Sequence, residues 1–301
     1  MSRHRKHRKN PAVREQMYKV LTAQFNAGFG VSRHDTKTAD PETEKGLIHS
    51  KSTYMTYRQQ CYQFADYVKE NYPDDYHKTL PDIKQYVPGY LQSLIDEGKK
   101  PDTVQTARAA LSKLYGVDTR EWGIDVPKRS RANITRSRND TIMDTRVNDK
   151  TRALYGDFLR CCGLRRREIT ALKGGSLIEG DDGKYYVRVS NGKGGKVRTV
   201  EVIGSPEEQE AIADRIRETA DDVKVFPKPP DALDIHAYRA EYAGRLYRMY
   251  ARPVEDVPRE ERYYCRGDKK GEVYDRAALE IVSRNLGHNR LSVVVDHYLW
   301  Q

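Results

Sequence analysis

The stretch CGLRRREI, residues 162–169, decides the fold of the second half of the chain. It follows a helix predicted over residues 147–162, stops that helix at Gly163, and opens a new helix after Arg165. Arginines at a helix N-terminus favour phosphate, because the free backbone N–H groups and the helix dipole add to the cations. Taken alone, however, such a stretch is more often a basic turn in contact with water.

Two short runs of alternating residues follow this helix. Residues 186–189 and 197–200 alternate with period two and predict paired β-strands, with the loop NGKGGK at residues 191–196 between them. Glycines let a backbone approach a ligand closely and would bring Lys193 with it. The loop is not a nucleotide-binding loop, since no Gly-Lys-Ser/Thr follows at the required spacing. A polar hairpin turn remains the simpler interpretation of this loop by itself.

Further along, two groups of polar residues accompany predicted helices. His236 and Arg239 are three residues apart on a helix predicted over 233–250, so they share one face. The sequence Leu-Gly-His at residues 286–288 ends another helix and precedes Tyr298. Each group alone is more often a surface pair or a core helix than a functional site.

The composition narrows the class of protein. Among 301 residues, 54 Lys and Arg stand against 44 Asp and Glu, a formal net charge of +10 that favours a polyanionic partner such as nucleic acid. No apolar run approaches the roughly 20 residues that a membrane-spanning helix needs, so no membrane partner is expected. The four cysteines show no metal-ligand spacing, so no bound metal is expected. The N-terminus has no secretory signal, which predicts a cytoplasmic protein with reduced thiols. With nucleic acid as its partner, the protein is expected to be associated with the nucleoid.

Patterning along the chain predicts four regions. Residues 1–49 are interpreted as a basic N-terminal arm or linker region, and residues 50–120 as a small helical domain. Residues 121–143 contain a basic, non-periodic run that predicts a linker, and residues 144–301 form the second domain. In the helical domain, one apolar stripe lies on the helix of residues 54–68. Asp102 and Gln105 have capping-box spacing, and Gly116 ends the last helix.

The motifs of the second domain, taken in order, resemble the tyrosine recombinase (phage integrase) family. Gly-Leu-Arg-x-x-Glu of that family matches Gly163–Glu168, and its Gly-Lys-Gly hairpin matches Lys193. Further matches are His-x-x-Arg, Leu-Gly-His, the tyrosine that follows it, and a Pro-x-Thr turn at residues 101–103, so the resemblance covers about residues 50–301. The catalytic residues that the resemblance implies are Arg165, Lys193, His236, Arg239, His288 and Tyr298.

This sequence departs from the family pattern near its nucleophile. Tyr298 lies ten residues after His288 instead of the nine typical of the family, and His297 occupies the ninth position. Tyr298 is nevertheless the only tyrosine after Tyr274, so it remains the predicted nucleophile.

The resemblance implies both a fold and an activity. The expected fold is mainly α with a small β-hairpin or sheet, arranged as a two-domain DNA clamp with a helical core-binding domain and a tyrosine recombinase catalytic domain. The expected activity is site-specific cleavage and rejoining of double-stranded DNA through a 3′-phosphotyrosyl intermediate, with no cofactor, metal ion or ATP. A homo-tetramer on DNA is the expected assembly, and the resemblance leaves room for an accessory DNA-bending or directionality factor.

Two other interpretations of the same residues stay open. A type IB topoisomerase-like enzyme would nick and rejoin one duplex with much of the same chemistry. A DNA-binding protein without catalysis would keep the motif residues only as phosphate contacts, and the complete set of six argues against it.

Overall fold

The computed structural model describes residues 11–128, 146–190, 192 and 197–299. The chain divides into two compact units, Met1–Asn133 and Ile134–Gln301, and each has its own hydrophobic core. Three predictions fall wholly or partly outside the described residues: Lys193 in its hairpin loop, residues 1–10 of the arm, and residues 129–143 of the basic linker.

All the regular secondary structure described in the first unit is helical. Its core is built mainly by the four longest helices, α1, α4, α6 and α7. The seven α-helices of the described residues are α1 (Val13–Gly28), α2 (Arg33–Ala39), α3 (Pro41–Lys45), α4 (Lys51–Asn71), α5 (Leu80–Ile83), α6 (Val87–Asp96) and α7 (Pro101–Tyr115).

The apolar stripe predicted on residues 54–68 is confirmed, and one predicted cap is wrong. Cys61, Phe64 and Val68 on α4 are fully buried, and α7 ends at Gly116 in the left-handed conformation. The capping box expected at Asp102 does not form there, because α7 already begins at Pro101 and Asp102 lies inside the first turn. Proline suits that first helical position, since its fixed φ matches the helix and it lacks a donor.

Residues 13–48, expected to belong to an arm or linker region, pack into the first unit. Met17 and Leu21 on α1 are fully buried against the core that α4 contributes to, and Ile48 is 1% exposed. The same region also contains α2 and α3, whose N-caps are Ser32 and Asp40. Both helices are short and polar, so no apolar periodicity signals them in the sequence.

The second unit combines helices with two small antiparallel sheets. Its strands are β1 (Leu177–Glu179), β2 (Tyr185–Val189), β3 (Arg198–Glu201), β4 (Arg262–Tyr264) and β5 (Val273–Asp275). Its α-helices in the described residues are α8 (Asp149–Cys162), α9 (Arg166–Ala171), α10 (Pro206–Arg217), α11 (Ile235–Tyr250), α12 (Arg276–Leu286) and α13 (Leu291–His297). None of the helices in the described ranges combines the length and apolar character that crossing a bilayer requires.

The predicted hairpin is confirmed, and two features of the sheets were not predicted. Strands β2 and β3 pair antiparallel, with Val189 opposite Arg198 and Tyr186 opposite Glu201. Strand β1 extends this sheet on the other side of β2, and β4 and β5 form a separate hairpin for which no strands were predicted. These strands have only three residues each, too few to show an alternating pattern. The predicted fold class, mainly α with a small sheet, is confirmed.

Candidate active site

Arg239 lies at the centre of the second unit's polar site. It is on α11 and only 1% exposed, yet its guanidinium donates hydrogen bonds to three different acceptors. Its Nε donates to the hydroxyl of Tyr298 at 3.3 Å, and its two terminal nitrogens donate to the backbone carbonyls of Gly163 and Leu286. Burial lowers the pKa of Arg239 to about 10, which still leaves the group protonated at neutral pH.

Both backbone acceptors of Arg239 are helix ends. Gly163 caps the C-terminus of α8 at a φ of 54°, and Leu286 is the last residue of α12, which Gly287 ends at a φ of 64°. The last carbonyls of a helix accept no hydrogen bond from within the helix, so they can accept one from another group. The helix dipole also makes that end favourable for a cation. The glycine turns of the Gly-Leu-Arg and Leu-Gly-His motifs therefore orient carbonyls that hold Arg239 in place.

A second arginine shares the Leu286 carbonyl. Arg165 is the N-cap of α9, and its terminal nitrogens donate to the Leu286 carbonyl at 2.9 Å and to Glu168 at 2.8 Å. The Glu168 carboxylate also accepts the Arg165 backbone N–H at 2.8 Å, which satisfies a free donor at the start of α9. Glu168 thus orients Arg165.

Arg198 completes this buried network from strand β3. It donates both terminal nitrogens to Glu168, at 2.9 and 2.8 Å, and its Nε to the carbonyl of Asn285 at 2.8 Å. Burial alone would raise the pKa of the Glu168 carboxyl, but the hydrogen bonds and charge of Arg198 outweigh it and lower that pKa to about 2. Strand β3 is therefore joined to the arginine site at the strand pair next to the β2–β3 loop.

The proposed nucleophile lies between two histidine rings. Tyr298 follows α13 and is 6% exposed. The ring of His236 packs edge-on against it, with centroids 5.3 Å apart, and the ring of His288 lies 5.4 Å away. His236 is in the first turn of α11. His288 follows the turn that ends α12, and its backbone N–H donates a hydrogen bond of 2.8 Å to the Ser283 carbonyl.

An open cleft of about 560 Å³ gives access to this arrangement. We call it the Tyr298 cleft. Three further arginines, Arg146, Arg165 and Arg166, join Arg239 and His236 in its wall, with two aspartates among the remaining lining residues. Its lining comprises Arg146, Arg165, Arg166, residues 231–236, Arg239 and Tyr298. A concave, positively charged site of this kind suits a phosphate group.

The structure brings together five of the six residues singled out in the sequence. Arg165, His236, Arg239 and Tyr298 line the cleft, and His288 packs against Tyr298. The sixth, Lys193, lies outside the described residues.

Sequence reasoning missed Arg198 and Arg146 and gave Arg166 no role of its own beyond the arginine run, although all three organise or line this site. Arg198 lies within a predicted β-strand, and its place opposite Val189 puts it in the strand pair next to the hairpin loop. Arg166 donates to the carbonyls of Pro230 and Leu233, at 2.7 and 2.6 Å, and so fastens the loop that leads into α11. Arg146 lies beside the predicted linker, where no pattern distinguishes it from its basic neighbours.

Within the described ranges, the side chains do not assemble a metal-ligand group. No cluster of three or more His, Cys, Asp or Glu residues there has the arrangement to hold a metal ion. The cations near Tyr298 are instead guanidinium groups, which offer paired N–H donors to phosphate oxygens.

Comparisons with known proteins identify the fold. No protein-family model matches the sequence, and no curated protein matches it. The structure is similar to that of the XerH site-specific recombinase bound to palindromic difH substrate in a post-cleavage complex. The two share 15% identity over 96% of this chain and 91% of that chain, with a TM-score of 0.51. The chain has the tyrosine recombinase fold.

A second solved structure gives a weaker match. The Tn1549 transposon integrase in complex with transposon right end DNA is 11% identical over 97% of this chain and 96% of that chain, with a TM-score of 0.47. At these identities the likeness concerns the tyrosine recombinase fold alone.

Proposed function

We propose that this protein is a site-specific DNA recombinase that cleaves and rejoins double-stranded DNA through a 3′-phosphotyrosyl intermediate. One observation carries the proposal: the Tyr298 hydroxyl accepts a hydrogen bond from the buried Arg239, beside a cleft that Arg165 and His236 also line. An attacking oxygen and a phosphate-binding cation are thereby adjacent in a site open to a polyanion.

The chemistry follows from these side chains. The Tyr298 oxygen forms a bond to phosphorus as the bond from phosphorus to the 5′-oxygen breaks, so one phosphodiester is exchanged for another and no ATP is consumed. Negative charge concentrates on the non-bridging oxygens during attack. Arg165 and Arg239 stabilise it, and each preorganised donor of this kind is worth about 10²–10³ in rate.

Two of the five N–H groups of Arg239 remain for this task. Its three bonds to Tyr298, Gly163 and Leu286 use one hydrogen on each nitrogen, and a guanidinium carries five. The remaining hydrogen on each terminal nitrogen can be donated to a phosphate oxygen.

Proton transfer requires a base and an acid. His236 and His288, whose rings contact Tyr298, are the candidates for accepting its proton. Lys193 is proposed as the acid that protonates the leaving 5′-oxygen, on the resemblance of its Gly-Lys-Gly loop to the family motif.

The wider assembly is part of the same proposal. A homo-tetramer on two duplexes is proposed as the active form, with the first unit as a core-binding domain and an accessory DNA-bending or directionality factor as a further partner. The net charge of +10 supports the DNA partner, since each phosphate contact releases counterions.

Covalent capture tests the proposal without a known target. Purified protein is incubated with sheared genomic DNA of its source in EDTA, quenched in detergent, and the protein-linked fragments are recovered and sequenced. Recombinase action predicts adducts joined to a 3′-phosphate at one recurrent sequence. Tyr298→Phe removes only the reacting oxygen, so it abolishes the adduct while the protein still binds DNA.

Other outcomes separate the competing functions. Adducts scattered over many sequences, together with relaxation of supercoiled plasmid, would indicate a type IB topoisomerase-like enzyme. DNA binding without any adduct would indicate a catalytically inactive DNA-binding protein, and EDTA-sensitive cutting without an adduct would indicate a metal nuclease.

A further inference from the structure

A buried lysine outside the Tyr298 cleft holds the residue that follows the proposed nucleophile. Lys269 lies in the connection between β4 and β5 and is only 5% exposed. Its Nζ donates a hydrogen bond of 2.7 Å to the backbone carbonyl of Leu299. Leu299 is itself 4% exposed and directly follows Tyr298. No role in the proposed chemistry accounts for this contact.

The surroundings of Lys269 fix the position of its ammonium group. Lysine is almost never fully buried unless it is paired, because removing the charge from water is costly. Here the carboxylate of Glu272 lies 3.1 Å from Nζ, and the Tyr274 hydroxyl lies 3.4 Å from it. Tyr274 in turn donates to Glu272 at 2.8 Å, so the carboxylate is held on two sides.

The segment that carries Lys269 is firmly anchored to the rest of the second unit. Across its base, the N–H of Cys265 donates to the carbonyl of Glu272 at 3.0 Å. At the end of β5, the carboxylate of Asp275 accepts from Arg252 at 2.7 Å and is 1% exposed. The hairpin is therefore a fixed support for Lys269.

Helix α13, which precedes Tyr298, fixes the position of that residue less firmly than the anchored β4–β5 hairpin does. Helix α13 has seven residues, and helices this short are marginal without external support. The backbone N–H groups of Tyr298 and Leu299 both donate to the Val294 carbonyl, at 2.9 and 3.2 Å. The bond from Lys269 fixes the same segment from its other end, on the carboxyl side of Tyr298.

We propose that Lys269 is a positioning residue that keeps the Tyr298 hydroxyl at Arg239 by tethering the Leu299 carbonyl to the β4–β5 hairpin. The positioning role rests on the proposed function, whereas the tether itself does not. Since its side chain is buried, Lys269 does not contact DNA, and its loss changes the cleavage step without changing DNA affinity.

Hydrogen exchange of the free protein tests the tether. Lys269→Met keeps a side chain of similar length and removes the ammonium donor. We expect faster amide exchange over residues 291–299 in this variant, with unchanged exchange in α8 and α11 as evidence that the unit is folded. Lys270→Met is the matched control, because Lys270 is exposed. Wild-type exchange over residues 291–299 in Lys269→Met would overturn the proposal.

Single-turnover cleavage then tests the positioning role. The substrate is a nicked duplex carrying the sequence recovered by adduct capture, at saturating protein. Lys269→Met is expected to slow adduct formation by up to about 10²-fold, the cost typical of a misplaced reacting group, with unchanged DNA affinity. Lys269→Arg is expected to recover part of the rate, since it restores a donor. An unchanged rate in Lys269→Met despite faster exchange would overturn the positioning role.

The two experiments separate the two proposals. If wild-type protein forms no adduct, the proposed function fails and the positioning role fails with it, while the exchange data still decide whether Lys269 holds the segment. If Tyr298→Phe still forms an adduct, the nucleophile is wrong, and the tether is again judged by exchange alone.

Discussion

The Nε of Arg239 and the hydroxyl of Tyr298 are 3.3 Å apart, although 59 positions separate the two residues in the chain. In the proposed reaction, a phosphate that enters the Tyr298 cleft meets the attacking oxygen and a cation that are adjacent. Such preorganisation avoids the cost of assembling the site during the reaction.

Replacing Arg239 with lysine should abolish most of the cleavage. The shorter ammonium side chain keeps a positive charge but loses the planar arrangement of donors that spans Tyr298, Gly163 and Leu286. We expect adduct formation to fall by at least about 10²-fold, as for the loss of one preorganised donor. A buried carbonyl left without a donor adds a loss of about 1–3 kcal/mol in the free energy of unfolding.

Single-turnover adduct assays and urea unfolding measure these two effects separately. Arg248→Lys is the matched control, since Arg248 lies on the same helix outside the lining of the Tyr298 cleft. A rate for Arg239→Lys close to that of wild type would show that the guanidinium does not act in the reaction.

Gly163→Ala should destabilise the second unit more than an ordinary substitution of a left-handed glycine. At a φ of 54° any side chain is strained, by about 1–2 kcal/mol, and a Cβ here would lie 2.2 Å from Cδ1 of Tyr242. Crowding in a packed core adds about 1–3 kcal/mol. Gly183→Ala is the control, because its φ of 74° carries the same strain with no atom within 4 Å.

Thermal unfolding followed by circular dichroism compares the two alanine variants. We expect the larger loss in Gly163→Ala, together with slower cleavage, because the Gly163 carbonyl holds Arg239. Equal losses in the two variants would mean that Tyr242 moves aside without cost.

The Glu168 carboxylate should make folding sensitive to acid. Its pKa is lowered from an ordinary value of 4.5 to about 2, so the folded state binds this proton more weakly than the unfolded state. The stabilisation is complete above pH 4.5 and is lost as the pH falls toward 2. Glu168→Gln removes the carboxylate and leaves Arg198 without its charged partner, which costs about 3–5 kcal/mol at pH 7.

Urea unfolding of wild-type and Glu168→Gln protein between pH 7 and pH 2 measures this dependence. The difference in free energy of unfolding should be constant at neutral pH and shrink below pH 4.5. A difference that stays constant down to pH 2 would contradict the lowered pKa.

Arg146 should contribute one phosphate contact to DNA binding. It lines the Tyr298 cleft, and a guanidinium offers paired N–H donors to phosphate oxygens. In Arg146→Ala, the slope of log K against log salt concentration should become shallower by about 1. Fluorescence anisotropy with duplex DNA measures the slope.

Arg217→Ala provides the control for the salt experiment. Arg217 lies outside the lining of the Tyr298 cleft, and Glu179, Glu210 and Asp214 hold it at 2.6, 2.6 and 3.1 Å. We expect an unchanged slope in this variant. Equal slopes in Arg146→Ala and wild type would place Arg146 outside the DNA contact.

Periodic elements were predictable from the sequence, and short or polar ones were not. The stripe containing Cys61 and Phe64 and the β2–β3 hairpin show patterns long enough to identify. Side-chain caps hold helices α2 and α3, and pairing with each other holds strands β4 and β5. Neither kind of contact produces a periodic pattern of apolar residues in the sequence. The tether from Lys269 to Leu299 spans 30 positions and has no local signature at all.

The candidate site shows the same division. Family motifs marked the residues that line the cleft, such as Arg165 and Tyr298, because each motif has a recognisable local spacing. The residues that hold them escaped notice. Arg198 joins β3 to Glu168 across 30 positions, and only the folded chain brings those two side chains together.

The carbonyl of Leu286, shared by Arg165 and Arg239, has a genetic consequence. Both guanidinium groups donate to the same main-chain oxygen, which sets the distance between them. No codon change can remove that oxygen. Missense variation at position 286 alters only the side chain and leaves this reference atom in place. Only chemical synthesis, through an ester replacing the amide between residues 286 and 287, would weaken that acceptor directly and loosen both guanidinium groups at once.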